Sequence, residues 1–272
     1  MSDRYAVIGR PIDHTKSPQI HGMFAHVTEQ DLDYGKIEGS PADFEAQVQG
    51  FREAGGRGMN ITAPFKLRAF ELATARSERA TLAKAANALK FEDGQVYAEN
   101  FDGIGLLRDI EHNLGQPLAG RRVLVLGAGG AVRGAILPFL DAGPSQLVIV
   151  NRDMAKAHVL ANEINHPSLE IRGYGDLPGQ GFDIVVNATS ASLVGELPPI
   201  SAEVFKGTRL AYELAYGKGL TPFLRLASDS GVVQIADGVG MLVEQAAEAF
   251  SWWRGVRPQT LPVIKALTIP LT

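Results

Sequence analysis

Arg122-Val123-Leu124-Val125-Leu126-Gly127-Ala128-Gly129-Gly130 is the stretch on which the fold turns. Its first half is an apolar run without alternation, the signature of a strand covered on both faces; a strand with one wet face would alternate apolar with polar. The glycines then allow a sharp turn, and residues 130–140 read as a helix, with Pro138 expected to kink it. Downstream, apolar strands at 146–150, 183–187, 210–214 and 232–235 are accompanied by a helix over 154–164. A further helical pattern covers 241–253. Continuous apolar strands alternating with helices predict a doubly wound parallel sheet.

Upstream, a second α/β pattern is complete before this one begins. Tyr5-Ala6-Val7-Ile8-Gly9 predicts a short buried strand, and Ser17-Pro18 opens a helix to about residue 27, with Pro where a missing N–H costs nothing. Strands follow at 32–38 and 58–62, separated by a helix over 41–54 that Gly55-Gly56 ends. This order predicts parallel pairing. Residues 80–89 are alanine-rich, 88–98 suggest a strand or hairpin, and 103–114 read as a linking helix that stops at Gly115-Gln116-Pro117. Gly115-Gln116-Pro117 and Gly120 mark the boundary between the two patterns.

Composition removes other classes. With 26 basic against 30 acidic residues and no Lys/Arg run, a nucleic-acid partner is not expected. The chain has no cysteine, which rules out disulfides and thiolate metal sites, and no metal is expected. No apolar run approaches the roughly 20 residues that span a bilayer, and no leader pattern opens the chain. The reading is a soluble cytoplasmic protein acting on a small molecule.

The glycine turn sits between a strand and a helix, where backbone can approach a pyrophosphate and helix N–H groups can bind it. A tight turn without ligand is the simpler alternative, and Val132 occupies the place of a third glycine. A carboxylate about 20 residues on would suit NAD. The next strand instead ends in Asn151-Arg152, with Lys156 a helical turn later, which favours the 2′-phosphate of NADP. A solvated helix start explains the same charges, and Asp153 between them suits a free 2′-hydroxyl, so NAD stays open. In the first half, Thr15 and Ser17 gather hydroxyls at a helix start, either as a cap or as a carboxylate site. Asn60 and Thr62 share a strand face, and Pro64 turns the chain toward Lys66. Lys66 and Asp102 together can form a proton-transfer pair, because a lysine taken out of water is a better base and a carboxylate holds it in place. Singly, one is a surface lysine and the other an Asp-Gly turn.

Taken in order, these segments carry a resemblance. Gly9-Arg10-Pro11-Ile12, Thr15-Lys16-Ser17-Pro18, Asn60-Ile61-Thr62-Ala63-Pro64-Phe65-Lys66, Asn87, Asn100-Phe101-Asp102-Gly103, Gly127-Ala128-Gly129-Gly130-Ala131, Asn151-Arg152, Asn187-Ala188-Thr189-Ser190, Tyr212-Glu213-Leu214-Ala215-Tyr216, Thr221-Pro222-Phe223-Leu224 and Asp237-Gly238-Val239-Gly240-Met241 through Gln245 resemble the shikimate dehydrogenase family. The resemblance implies an N-terminal α/β substrate domain over 1–103, completed by the C-terminal helices of 241–272, plus a Rossmann-type dinucleotide-binding domain with a doubly wound parallel sheet over 104–240. It also implies the NADPH-dependent, reversible reduction of 3-dehydroshikimate to shikimate, a step toward aromatic amino acids. It assigns acid/base work to Lys66 beside Asp102, and substrate binding to Thr15, Ser17, Asn60, Thr62, Asn87, Asp102, Tyr216 and Gln245. Cofactor binding falls to Gly127, Ala128, Gly129, Gly130, Ala131, Asn151, Arg152, Lys156, Thr189, Leu214 and Gly238, with Glu78 an addition. Family members are monomers or homodimers.

Four positions depart from the family's usual residues: Thr15 for Ser, Ala88 for Thr, Phe101 for Thr and Asp153 for Thr. Phe101 removes a hydroxyl beside Asp102 and adds bulk, which predicts an altered ring-substituent preference or slower turnover. The alternatives are therefore an NAD-using quinate/shikimate dehydrogenase, a low-activity paralogue, or an enzyme for an amino-substituted analogue.

Overall fold

The apolar runs become strands that sort into two separate six-stranded sheets, each in its own unit of the chain. The computed structural model describes residues 2–177 and 181–272. One unit is Met1–Gly105 with Val243–Ala266; the other is Leu106–Leu242 with Leu267–Thr272. The last six residues thus pack with the second unit, not with the first as the expected 241–272 would have it. Leu271 joins an apolar cluster there.

In the first unit, β1 (Asp3–Gly9), β2 (Leu32–Glu38) and β3 (Gly56–Ile61) pair in parallel, as α1 (Ser17–Val27) and α2 (Phe44–Glu53) require. β4 (Ala75–Arg76) is a two-residue edge, and β5 (Ala88–Glu92) and β6 (Gln95–Glu99) form a hairpin. That hairpin makes the sheet mixed, because β5 meets β3 antiparallel. The order is β2-β1-β3-β5-β6-β4. Between these strands lie α3 (Lys66–Leu72) and α4 (Glu78–Ala83), and α5 (Asp102–Arg108) follows β6. Along β1, Ala6 and Ile8 bury against Phe44, Val48, Met59 and Phe65 on one face. Tyr5 points to the other and stacks on Trp253, ring centroids 4.8 Å apart. Burial on both faces explains the unbroken apolar run.

In the second unit, β7 (Arg122–Leu126), β8 (Gln146–Val150), β9 (Leu169–Arg172), β10 (Ile184–Asn187), β11 (Leu210–Glu213) and β12 (Gln234–Asp237) are all parallel, ordered β12-β11-β10-β7-β8-β9. Val123 and Val125 enter one apolar cluster and Leu124 and Leu126 another, so both faces are covered. The covering helices are α6 (Gly130–Asp141), α7 (Met154–Ile164) and α8 (Pro222–Asp229); α9 (Val239–Arg254) begins here and α10 (Leu261–Leu267) follows it. Strand order reverses at β7 and β10, the place where open α/β sheets bind ligands.

Several local expectations shift. α6 continues through Pro138 to Asp141. The expected 103–114 helix is α5 followed by a π-helical turn, Asp109–Asn113. There the buried Asp109 carboxylate accepts from Asn113 Nδ2 (2.9 Å) and the Tyr212 hydroxyl (2.7 Å). The final strand starts at Gln234 because Val232 still closes the turn after α8 and Val233 is 96% exposed. Ser17 is the first helical residue of α1 and does not cap it; Lys16 holds the cap position, and the Ser17 hydroxyl pairs with Thr15 instead.

Candidate active site

Lys66 opens α3, and its backbone is pinned from both sides. Phe65 stacks on Phe44 (4.7 Å) and its N–H donates to the Thr62 carbonyl (3.0 Å), while Ala86 N–H donates to the Lys66 carbonyl (2.8 Å). Lys66 Nζ donates to Asp102 Oδ2 at 2.6 Å. The lysine side chain keeps 32% of its surface open against 8% for the aspartate, so the carboxylate is the buried anchor of a half-buried lysine. Asp102 is itself fixed: its N–H donates to Asn100 Oδ1 (3.1 Å), and its Oδ1 accepts from Asn87 Nδ2 (2.7 Å).

The Asn87 amide can sit only one way. Its oxygen accepts from Phe101 N–H (2.9 Å), which turns its nitrogen to Asp102 and to Gln245 Oε1 (3.1 Å). Gln245 reaches in from α9, and Gly105 permits it: a Cβ there would lie 2.7 Å from the Gln245 nitrogen. Asn60 Nδ2 donates to the Asn87 carbonyl (3.3 Å). The unit therefore gathers Lys66, Asp102, Asn87, Gln245 and Asn60 into one network, with Thr62 half-buried at the end of β3 and the Thr15–Ser17 pair at 3.2 Å.

Phe101 does not add bulk to this network. Its ring is 4% exposed, packs in a small cluster with Ala88 and Ala249, and meets Trp252 edge-on at 5.7 Å. Two departures from the family pattern thus share one core cluster, with the alanine leaving room beside the larger ring. The turn carrying Asp102 is also tied at its root. Buried Glu99 accepts from Arg79 (2.7 Å), Ser77 (2.5 Å) and Asn100 N–H (2.7 Å). Sequence reasoning passed over Glu99; a carboxylate closing an otherwise apolar strand was its signal.

In the second unit, the turn after β7 has the form a dinucleotide needs. Gly127 has φ +109°, and a Cβ on it would crowd the Ala188 carbonyl at 3.1 Å, so a side chain is excluded twice over. Gly129 precedes α6 in extended conformation, and a Cβ on Gly129 or Gly130 would meet nothing within 4 Å. Open space thus lies before the first N–H groups of α6, including that of Ala131, which the helix cannot itself satisfy. These residues fit a pyrophosphate. Ala128 lies in the same turn. Asn151 ends β8 and donates to the Asp153 carbonyl (2.8 Å); Arg152 is exposed beside the Tyr174 phenol, whose pKa burial raises and the guanidinium partly restores. The backbone of Lys156 lies in α7, and its side chain is outside the described residues.

Thr189 follows β10, its N–H and hydroxyl both donating to Asn187 Oδ1 (3.1 and 2.8 Å). Leu214 and Gly238 meet where β11 and β12 end; a Cβ on Gly238 would strike the Leu214 carbonyl at 2.1 Å. Beneath them lies Glu213, fully buried, accepting from Asn187 (2.9 Å), Thr221 (3.3 Å), Ala215 N–H (3.2 Å) and Ser192. Burial raises its pKa, and those four donors oppose the rise. Sequence reasoning placed Glu213 in a motif and gave it no role. Tyr216, expected with the substrate, lies on the loop after β11 in the second unit and is 41% exposed. Glu78, expected with the cofactor, is exposed at the start of α4 in the first.

A buried carboxylate holding a half-buried lysine, together with a glycine turn at the switch point of a doubly wound sheet, defines a dinucleotide-dependent oxidoreductase. Three family models match successive parts of the chain: the shikimate dehydrogenase substrate binding domain over residues 7–89, the shikimate / quinate 5-dehydrogenase over 109–195, and the shikimate 5'-dehydrogenase C-terminal domain over 238–268. The chain belongs to the shikimate dehydrogenase family. It is 51% identical to the shikimate dehydrogenase (NADP(+)) of Chromobacterium violaceum, over 98% of both chains. Among solved structures it resembles an Ael1 enzyme from Pseudomonas putida, at 73% identity over the whole of both chains (TM-score 0.99). It also resembles shikimate 5-dehydrogenase from Thermus thermophilus in complex with NADP(H) and shikimate, at 29% identity over 97% of this chain and 98% of that one (TM-score 0.87). No helix among the described residues is long and apolar enough to cross a membrane.

Proposed function

We propose that this protein catalyses the reversible, NADP-dependent reduction of 3-dehydroshikimate to shikimate, with Lys66 moving the proton. The observation that carries the proposal is the 2.6 Å contact between Lys66 Nζ and a buried Asp102 whose other oxygen is held by Asn87. NADPH supplies the hydride when bound. In the direction of reduction, Lys66 gives a proton to the oxygen of the reacting carbonyl; in oxidation it takes that proton from the alcohol. Asp102 accepts only, so it holds the amine in place through both directions. Asn60, Thr62, Asn87, Gln245, Thr15 and Ser17 offer the mixture of donors and acceptors that a polyhydroxylated acid requires. A substrate lacking one hydroxyl would leave a buried partner unpaired, which is a strong basis for discrimination. Gly127, Ala128, Gly129, Gly130 and Ala131 would hold the pyrophosphate, Asn151 and Arg152 the 2′-phosphate, and Thr189, Leu214 and Gly238 the walls around the remainder.

Asp153 favours a second reading. A carboxylate next to Arg152 suits the free 2′-hydroxyl of NAD, as in the alternative of an NAD-using quinate/shikimate dehydrogenase. Steady-state rates with shikimate and quinate, each with NADP and NAD, separate the two. The expected result is the highest kcat/KM for shikimate with NADP, and a preference for quinate with NAD overturns it. In the same assay Arg152→Ala is expected to raise the KM for NADP about tenfold or more while leaving that for NAD nearly unchanged, as for loss of a charged hydrogen bond.

A further inference from the structure

Behind the polar network of the first unit lies a residue that the activity leaves unexplained. His21, on α1, is 1% exposed, and neither ring nitrogen has a hydrogen-bond partner among the described residues. Phe24, Phe250 and Trp253 surround it at 5.5 to 6.1 Å. A buried polar group without a partner is costly, and a hydrocarbon ring would fill the same space without that cost. What His21 does touch is Tyr34: the rings lie flat on one another, centroids 4.1 Å apart and planes within 6°. That stack fixes the phenol, and the Tyr34 hydroxyl donates to Asn60 Oδ1 at 2.6 Å. With its oxygen so engaged, Asn60 turns its nitrogen to the Asn87 carbonyl. A flipped Asn60 would set oxygen against oxygen there. The Ser17 hydroxyl stands beside the same phenol, where it partly offsets the upward pull of burial on the phenol pKa. One tyrosine hydroxyl therefore borders two groups assigned to the substrate.

We propose that Tyr34, held flat by His21, is a positioning residue that sets the Asn60 amide for the acid substrate. This rests on the shikimate dehydrogenase reading above. Tyr34 makes no contribution to proton transfer, so its loss should weaken substrate binding and spare the chemistry.

The test is Tyr34→Phe, which keeps the stack and removes the hydroxyl. The expected result is a KM for shikimate raised about tenfold, the loss of one hydrogen bond's worth of binding, with kcat within about twofold and the KM for NADP unchanged. Adding Tyr34→Phe to Asn60→Ala should then cost almost nothing further, because the hydroxyl acts through that amide. An unchanged shikimate KM, a loss confined to kcat, or additive effects in the double variant overturns the proposal. Should Tyr34→Phe fail to fold, His21→Leu removes the platform and leaves the hydroxyl. It must raise the shikimate KM as well, and an unchanged value overturns the proposal. A wild-type protein that turns over no shikimate removes the activity and the proposal with it. Wild-type activity with an indifferent Tyr34→Phe refutes the positioning role alone.

Discussion

At the scale of single residues, the buried side-chain polar atoms without a partner among the described residues are both ring nitrogens of His21 and Arg133 Nε, and His21 has a measurable consequence. Burial drives its pKa from the ordinary 6.5 down to about 3, against a smaller opposing pull from the Asn60 side chain beside it. The folded protein therefore refuses a proton that the unfolded chain accepts once pH falls below 6.5. Its contribution runs in one direction: stability is retained above that pH and declines as pH drops toward 3. Between pH 7 and pH 5 this one group should remove about 2 kcal/mol of unfolding free energy. His21→Phe should abolish that share of the decline, as read from urea melts at the two pH values. Identical slopes in the wild type and the variant would show that the ring titrates normally in the fold. Nothing in the sequence marks His21 for this role. A histidine in an amphipathic helix gives no sign of what it lies against, and its partner Tyr34 comes from a different strand.

At the scale of elements, motifs were legible where a turn is local and illegible where contacts are distant. The β7 turn reads directly from Gly127, Gly129 and Gly130, because positive φ and open space are properties of the backbone itself. The linking helix was expected as a single α-helix, since its π-helical turn depends on Tyr212, which lies far along the chain. The placement of Phe101 was illegible for the same reason. It stands beside Asp102 in sequence, just ahead of α5, and adds bulk there, yet its ring packs in the cluster of Ala88, Ala249 and Trp252. That packing predicts coupling between the two positions. Phe101→Thr should destabilise the protein by about 3 kcal/mol through the cavity it leaves. Ala88→Thr alone should cost about 1–3 kcal/mol by overpacking, and the double variant should cost less than the sum. Additive costs in denaturant melts would mean that the two side chains do not share space.

At the scale of the whole molecule, the two kinds of chemistry are housed apart. The proton-handling pair belongs to a mixed sheet with its own apolar core, and the glycine turn to a fully parallel sheet with cores on both faces. The parallel sheet was legible in outline because β7, β8 and β10 are nearly continuous apolar runs. β9 was not found, since its residues are only half-buried and carry Glu170 and Arg172. The first unit's hairpin was legible only as a strand or hairpin over 88–98, and not as the source of antiparallel pairing in that sheet. Separation of function has a direct test in Lys66→Ala, measured once for turnover of shikimate with NADP and once for NADPH affinity by fluorescence titration. The predicted result is turnover lower by roughly 10²–10⁴-fold with NADPH affinity unchanged, as for loss of a general acid/base. Undiminished turnover in a folded variant would contradict it.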